Sequence, residues 1–130
     1  MFIDNEKLKN LVRKLGSQSI LVVGDLALDE MVYGDTERIS REAPVIILQH
    51  THTKFILGGA SNAAHNVADI NDGKVSVIGV IGEDYQALDL KRAFEEANIN
   101  CSSLITDKTR KTITLSLIHI SEPTRQAEIS

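Results

Sequence analysis

Two adjacent glycines followed closely by an asparagine are the residues of this chain best suited to recognise a small molecule. Gly58, Gly59 and Asn62 lie where an apolar stretch gives way to a predicted helix. Glycine lets a ligand approach the backbone, and an asparagine amide offers a donor and an acceptor to a hydroxyl group. The same residues could instead form a plain strand-to-helix turn with a helix cap. The segment is a candidate site for a small polar ligand.

A second candidate group consists of two carboxylates, Asp25 and Asp29, which follow the apolar run 20–24. A continuous aliphatic run that ends in glycine predicts a parallel strand covered on both faces, and open α/β sheets bind ligands at the carboxyl ends of such strands. We therefore expect both carboxylates at a strand end, where they could accept hydrogen bonds from sugar hydroxyls or hold a cation. Asp25 could instead only cap a turn.

The elements that must position these residues alternate between helix and strand patterns, which predicts an α/β fold. A first helix at 5–15 should pack on the sheet through its apolar positions Leu8, Leu11, Val12 and Leu15. Further helices are predicted at 61–70 and 85–97, the second with four inward residues, Leu88, Leu90, Phe94 and Ala97. Strands are expected at 74–80, near 102–105 and near 112.

Three segments, taken together, resemble the ribokinase-like, PfkB-type sugar kinases. They are G-D-x-x-L-D at 24–29, Y-G-x-x-x-R-I-S-x-E-A-P-V at 33–45 and L-G-G-A-x-N at 57–62. The second segment is most similar to the kinase domain of the heptose 7-phosphate kinase/ADP-heptose synthase group. Their order and spacing make the combination more specific than any one segment, and the resemblance covers about residues 19–114.

The resemblance implies both a fold and its working parts. It implies the N-terminal half of a three-layer α/β/α ribokinase-like domain at 1–114, with a small β-flap, or lid, at about 31–56. Segments 31–33 and 45–49, separated by a polar, turn-prone stretch that ends in Pro44, should pair as antiparallel flap strands that keep water from a phosphoryl-transfer site. The family uses ATP and Mg²⁺, and its flap often forms a homodimer contact. Its phosphate-binding glycine motif and catalytic base belong to a later segment, and no glycine follows residue 82 here.

Six positions match the family's substrate-binding pattern: Asp25, Asp29, Arg38, Gly58, Gly59 and Asn62. By resemblance, Asp29, Gly59 and Asn62 contact the sugar, while Gly58 shapes the turn and Asp25 supports the pocket. Arg38 could pair with a sugar phosphate, because a guanidinium binds phosphate oxygens in a bidentate manner, or it could be a solvated flap charge. No catalytic residue and no metal ligand is assigned.

The function implied is ATP-dependent phosphorylation of a sugar. The most specific expectation is a heptose 7-phosphate in the synthesis of ADP-heptose, a lipopolysaccharide core precursor, with this chain supplying only the sugar-binding half and inactive alone. One alternative is a ribokinase- or fructokinase-type enzyme. Another is a non-catalytic sugar-binding or interaction fragment.

Composition argues against several other classes. A formal charge of −4 without a long basic run disfavours a nucleic-acid partner. A single cysteine, Cys101, rules out an intramolecular disulfide and suits a reducing compartment. No stretch approaches the roughly 20 apolar residues of a membrane span. His50 and His52 alternate on a flap strand, but no third metal ligand lies nearby in the sequence. We expect a cytoplasmic protein without a nucleic-acid or membrane partner.

Residues 115–130 form a tail that departs from the family pattern. The run L-S-L-I-H-I-S-E-P-T-R resembles translated sequencing-adapter read-through, a recurrent contaminant of assembled gene models. Beyond Ser121 the sequence is polar and shows neither a helical nor a strand period. We therefore expect the tail to be non-native, so that His119 and Ser121 are not functional residues.

Long-read resequencing of the locus from the Ile105 codon onward tests this expectation. We expect the reading frame to continue past Thr114 into the family's Gly-Ala-Gly-Asp phosphate motif, because the sugar-binding segments have no catalytic partner within these residues. A frame that ends at Ser130 would contradict the prediction and would favour a binding module.

Overall fold

The computed structural model describes residues 4–72 and 74–121, and within them the chain forms three helices and eight strands. The helices are α1 (Asn5–Leu15), α2 (Ala60–Ile70) and α3 (Tyr85–Glu96). The strands are β1 (Ile20–Val23), β2 (Leu26–Ile39), β3 (Ile46–Gly59), β4 (Val75–Ile78), β5 (Val80–Ile81), β6 (Ile99–Asn100), β7 (Ile105–Thr106) and β8 (Ile113–Ser121). Positions 122–130 of the expected non-native tail lie outside the described residues.

The strands form three sheets that contain mostly parallel pairs. One sheet has the order β1-β4-β6 and is parallel throughout, and β5 pairs with β7 in parallel. The third has the order β3-β2-β8, in which β2 is antiparallel to β3 and parallel to β8. This mixed α/β architecture with parallel strands confirms the predicted fold class. None of the described helices combines the length and the apolar character needed to cross a bilayer.

The hydrophobic core lies between the strands and the two helices α2 and α3. Helix α2 contacts β1 to β4, and α3 contacts β2, β3 and β6. The core side chains are all 5 % exposed or less: Leu26, Leu28, Leu57, Ala64, Ala68, Val75, Val77, Ile81, Ala87, Leu90, Phe94 and Ile99. Both helices therefore cover the strands that carry the candidate site.

Two expectations about helix packing were wrong. Helix α1 buries no residue, and its apolar positions, which include Leu11 and Val12, remain half exposed. An amphipathic pattern shows that one face is apolar, but it does not show what covers that face. In α3, Leu88 is 56 % exposed because the buried stripe runs through Ala87, Leu90 and Phe94, at the i, i+3 and i+7 spacing of one helical face. Leu90 and Phe94 were predicted correctly.

Three expectations about strands also need correction. Strand β1 is covered on one face only, since Leu21 and Val23 are exposed. Asp29 lies inside β2 rather than at a strand end, whereas Asp25 does lie just beyond the end of β1, after Gly24. The predicted strand 74–80 is broken at Gly79, where a Cβ atom would lie 2.6 Å from Leu26 Cγ. The close approach of β2 to the chain at this point requires the glycine.

The flap is a longer hairpin than the sequence predicted. Residues 31–33 and 46–49 lie in antiparallel strands, as expected, with Val45 just before β3, but the two segments do not pair with each other. Met31 pairs with Lys54, whereas Ile39 pairs with Ile46. Of the polar stretch that was expected to be a turn, residues 35–39 are strand, because cross-strand pairing outweighs their polar composition, and only residues 40–45 lie between the two strands.

One carboxylate ties the start of α3 to the start of β8. Asp84 Oδ1 accepts hydrogen bonds from the Ala87 amide (2.9 Å) and the Thr112 hydroxyl (2.7 Å), and Oδ2 accepts one from the Thr112 amide (2.9 Å). The Thr112 hydroxyl in turn accepts a bond from the Gly82 amide at 3.0 Å. Burial raises the pKa of Asp84, but these hydrogen bonds and the charge of Lys111 outweigh it, so the pKa lies below its ordinary value.

Replacing Asp84 with alanine should lower the free energy of unfolding by about 1–3 kcal/mol at neutral pH, since it removes a helix cap and leaves the Thr112 donors unpaired. Because the folded pKa is depressed, the contribution is present above the ordinary carboxyl pKa of 3.8 and is lost as the pH falls through the folded value. Urea denaturation of both proteins at neutral and acid pH measures this, and the difference between them should shrink in acid.

Glu83→Ala is the matched control, because the Glu83 carboxylate makes only an exposed contact with Lys108 at 3.4 Å. It should change stability by less than about 0.5 kcal/mol. Equal losses for the two variants would contradict the role of Asp84.

Candidate functional site

The candidate site forms where the start of β2 runs beside the end of β3. In this antiparallel pair, Leu26 lies opposite Gly59, Ala27 opposite Gly58 and Asp29 opposite Ile56. Residues that are about 30 positions apart in the sequence therefore become neighbours. The glycine pair and the carboxylate of the sequence analysis meet here.

Gly58 is shaped to receive the carboxylate of Asp29. A Cβ atom at Gly58 would lie 2.7 Å from Asp29 Oδ1 and 2.9 Å from both Cγ and Oδ2. The side chain of Asp29 thus lies across the neighbouring strand, in space that any other residue would fill. Asp29 is half-buried and accepts no hydrogen bond from the residues that the structure describes, so its carboxylate oxygens are available to a ligand.

Gly59 is required by the turn from β3 into α2. Its φ is +56°, and a Cβ atom there would lie 2.8 Å from the carbonyl oxygen of Asp25. That carbonyl accepts a hydrogen bond from the Ala60 amide at 2.9 Å. Asp25 therefore fixes the start of α2 through its backbone, while the residue as a whole is exposed at the end of β1.

The start of α2 offers hydrogen-bond donors. The Ala60 amide is already bonded to the Asp25 carbonyl oxygen, but the cap residue Gly59 makes no side-chain cap bond, so the next amides of the first turn lack the partner that a Ser or Asp cap would give. Asn62 lies in this first turn and is exposed. Ser61 is fully buried, and its hydroxyl has no hydrogen-bond partner among the described residues.

These groups together suit a ligand with several hydroxyl groups. The Asp29 carboxylate accepts hydrogen bonds, the Asn62 amide both donates and accepts, and the helix start donates. The structure thus brings Asp25, Asp29, Gly58 and Gly59 together, with Asn62 in the helical turn that follows.

Arg38 is not brought to the same place. It pairs with Ile47 near the far end of the hairpin and is exposed. Nine strand positions separate it from Asp29, which corresponds to about 30 Å at the usual rise of a strand. A register irregularity lies between Thr36 and Arg38, and such bulges re-aim side chains.

The sequence analysis missed an aromatic stack on the hairpin. The rings of Tyr33 and His52 stack with centroids 4.4 Å apart and an interplanar angle of 5°. His119 tilts against Tyr33 at 5.3 Å, and His50 Nε2 lies 2.9 Å from Thr53 Oγ1. Only the strand register could have revealed the Tyr33–His52 pair, because the two residues are remote in the sequence. Among the described residues, no group of three His, Cys, Asp or Glu side chains could hold a metal ion.

The fold and these residues define an α/β domain with a candidate site for a small polar ligand. The family model "pfkB family carbohydrate kinase" matches residues 17–129, and the chain belongs to this family. The matched range includes residues 115–129, beyond the point where we expected the likeness to end. The non-native origin of residues 115–130 stays a prediction.

Individual relatives agree with this assignment. The chain is 41 % identical over 97 residues to "Bifunctional protein HldE" of Granulibacter bethesdensis, covering 75 % of this chain and 20 % of that protein. A carbohydrate kinase from Agrobacterium tumefaciens has a similar structure, with a TM-score of 0.60 and 24 % identity. The match covers 78 % of this chain and 31 % of that one. A ribokinase from Cryptococcus neoformans in complex with ADP is similar with a TM-score of 0.53 and 26 % identity, and the match covers 78 % of this chain and 30 % of that one. The chain spans about a fifth of the length of the curated relatives it matches.

Gly58→Ala tests the contact with Asp29. The added methyl group must displace the carboxylate, which should cost about 1–3 kcal/mol of stability as overpacking. In an Asp29→Ala background the space is free, so the same change should cost much less. Urea unfolding of the four proteins in this double-mutant cycle gives the coupling energy. Equal costs in both backgrounds would show that Asp29 does not occupy this space.

Proposed function

We propose that this chain supplies the sugar-binding half of a cytoplasmic kinase that transfers a phosphoryl group from ATP to a heptose 7-phosphate. The observation that carries the proposal is the Asp29 carboxylate, held over Gly58 beside the uncapped start of α2. Membership of the carbohydrate kinase family and the 41 % identity to a bifunctional HldE protein support it.

In this proposal the chain binds and orients the sugar. Asp29 accepts hydrogen bonds from sugar hydroxyls, and Asn62 bonds a further hydroxyl through its amide. The absence of a side chain at Gly59 lets the sugar ring approach the backbone. Holding the acceptor hydroxyl in one orientation lowers the entropic part of the barrier to in-line transfer. The β2–β3 hairpin acts as the lid that excludes water.

The described residues do not fit ATP or Mg²⁺. They contain no glycine-rich phosphate loop after Gly82 and no cluster of carboxylates that could hold a cation. We therefore propose that the nucleotide, the metal ion and the catalytic base are held by other parts of the kinase. The ADP complex of the similar ribokinase supports nucleotide use.

The hairpin also suits a homodimer contact, because its end lies outside the core. Residues 35–39 of β2 are all exposed, and Ile39 is 69 % exposed. Apolar side chains at the end of a hairpin are commonly covered by another chain. The proposed enzyme is therefore a dimer through this flap.

Asp29→Ala and Asn62→Ala should each raise the Kd for heptose 7-phosphate at least about 10-fold in the full-length protein encoded by the locus, because each removes hydrogen bonds to the sugar. Isothermal titration calorimetry measures the Kd, and coupled ADP release measures the transfer. Ribose and fructose are compared as alternative acceptors.

Asp35→Ala and Asn66→Ala are the matched controls, since both residues are exposed and lie further along the same strand and the same helix. They should leave the affinity unchanged. Normal affinity in Asp29→Ala and Asn62→Ala would overturn the site, and faster transfer to ribose or fructose would replace the proposed substrate.

A further inference from the structure

We infer that Lys54 recognises the phosphate of a phosphorylated sugar whose hydroxyls are bound by Asp29, and that it thereby selects phosphorylated acceptors over plain sugars. This inference rests on the proposed function and deepens it. It assigns the phosphate contact to the strand that carries the glycine pair. The ligand chemistry is a sugar with its phosphate on the carbon farthest from the hydroxyls that Asp29 binds.

Lys54 lies on the face of the sheet that carries the candidate site. It is two positions from Ile56, the register partner of Asp29. Register partners point to the same face of a sheet, and so do residues two positions apart on one strand. Gly58, Ile56 and Lys54 therefore form a row on β3 beside Asp29. The other face of β3 is the core side, since Leu57 is buried there.

The length of this row suits a sugar with a phosphate at its far end. The Asp29 carboxylate lies over Gly58 at one end of the row. Four strand positions, or about 13 Å, separate Gly58 from Lys54 at the other end. A lysine side chain has a flexible four-carbon stem and covers part of this distance. A sugar with a terminal phosphate, such as heptose 7-phosphate, covers the rest.

The Lys54 ammonium group is available to a ligand. Lys54 is exposed, and it makes no ion pair with the residues that the structure describes. Glu96 lines the same cleft at the edge of β3, but the two side chains do not pair. The three strands contribute residues 27–33, 52–58 and 113–119 to this part of the sheet, and Lys54 is the only lysine or arginine among them.

An apolar side chain lies between the two polar ends of the row. Ile56 is 38 % exposed and lies on the same face as Asp29 and Lys54. The carbon chain of a sugar can pack on Ile56 while its hydroxyls bond to Asp29 and its phosphate reaches Lys54. The row thus offers an acceptor, an apolar surface and a cation in the order in which a sugar phosphate presents their partners.

The chemical consequence is a preference for phosphorylated sugars. A lysine ammonium is a compact positive charge with three hydrogen-bond donors, and charge-assisted hydrogen bonds to phosphate oxygens are stronger than those between neutral groups. A neutral sugar gains nothing from this charge, although it keeps its contacts with Asp29. Lys54 is then a specificity-determining residue, and it takes no part in the transfer itself.

Isothermal titration calorimetry on the full-length protein encoded by the locus tests the inference with two ligands, heptose 7-phosphate and the same heptose without its phosphate. We expect Lys54→Gln to raise the Kd for heptose 7-phosphate at least about 10-fold and to leave the Kd for the plain heptose unchanged. Lys54→Arg should keep most of the wild-type affinity, because the charge remains. Added salt should weaken phosphate binding by the wild type more than by Lys54→Gln, since an exposed ion pair is screened.

A Kd for heptose 7-phosphate that is unchanged in Lys54→Gln would overturn the inference. An equal rise in the Kd values of both ligands would also overturn it, because it would show a general disturbance of the site rather than a phosphate contact. If the wild-type protein binds neither ligand, the proposed function fails first, and the two failures are thereby distinguished.

Lys74→Gln is the matched control, because it removes the same charge from an exposed lysine at the other end of the fold. Lys74 lies just before β4, which runs parallel to β1, whereas Asp25 lies beyond the carboxyl end of β1. Lys74→Gln should keep the wild-type Kd for both ligands. Equal effects of Lys54→Gln and Lys74→Gln would show that only the net charge matters, and would contradict a specific contact.

Discussion

The contact between the Asp29 carboxylate and the α-carbon of Gly58 is the constraint on which the rest of the site depends. The carboxylate fills the space of a missing side chain, with its atoms 2.7 to 2.9 Å from the position of a Cβ atom. Such a contact exists only in one register of β2 against β3. A shift by one residue would bring Leu57 under the carboxylate and would turn Asp29 to the other face of the sheet. Register and site geometry are therefore set together.

The core enforces the same register from the opposite face. Leu26 and Leu28 are fully buried, and they alternate along β2 with Ala27 and Asp29. A slip that moved Asp29 into the core would bury a carboxylate without a partner and expose two leucines, which costs several kcal/mol. The free energy of core packing thus keeps the Asp29 carboxylate on the face opposite the core. No further contact on β2 is therefore needed to set the face to which Asp29 points.

The sequence predicted local features well and tertiary features poorly. Helices α2 and α3 were predicted within a residue at each end, because capping residues and apolar periodicity are local signals. The glycine pair was identified for the same reason, since its conformation is a property of the residue type. The predictions that α1 packs on the sheet and that a turn follows Gly34 were wrong, because both features depend on contacts with distant parts of the chain. The stack of Tyr33 on His52 depends on register and could not have been found.

Strand β1 connects the open part of the fold to the site. Within the described residues it pairs only with β4, and its side chains Leu21 and Val23 are exposed. Its carboxyl end leads through Gly24 to Asp25, whose carbonyl oxygen accepts a hydrogen bond from the Ala60 amide and so fixes the start of α2. An element that pairs with the open edge of β1 therefore also restrains the start of α2, the helix that carries Asn62. Since an exposed apolar edge strand favours pairing with further chain, the completion of this sheet and the rigidity of the ligand site are physically coupled.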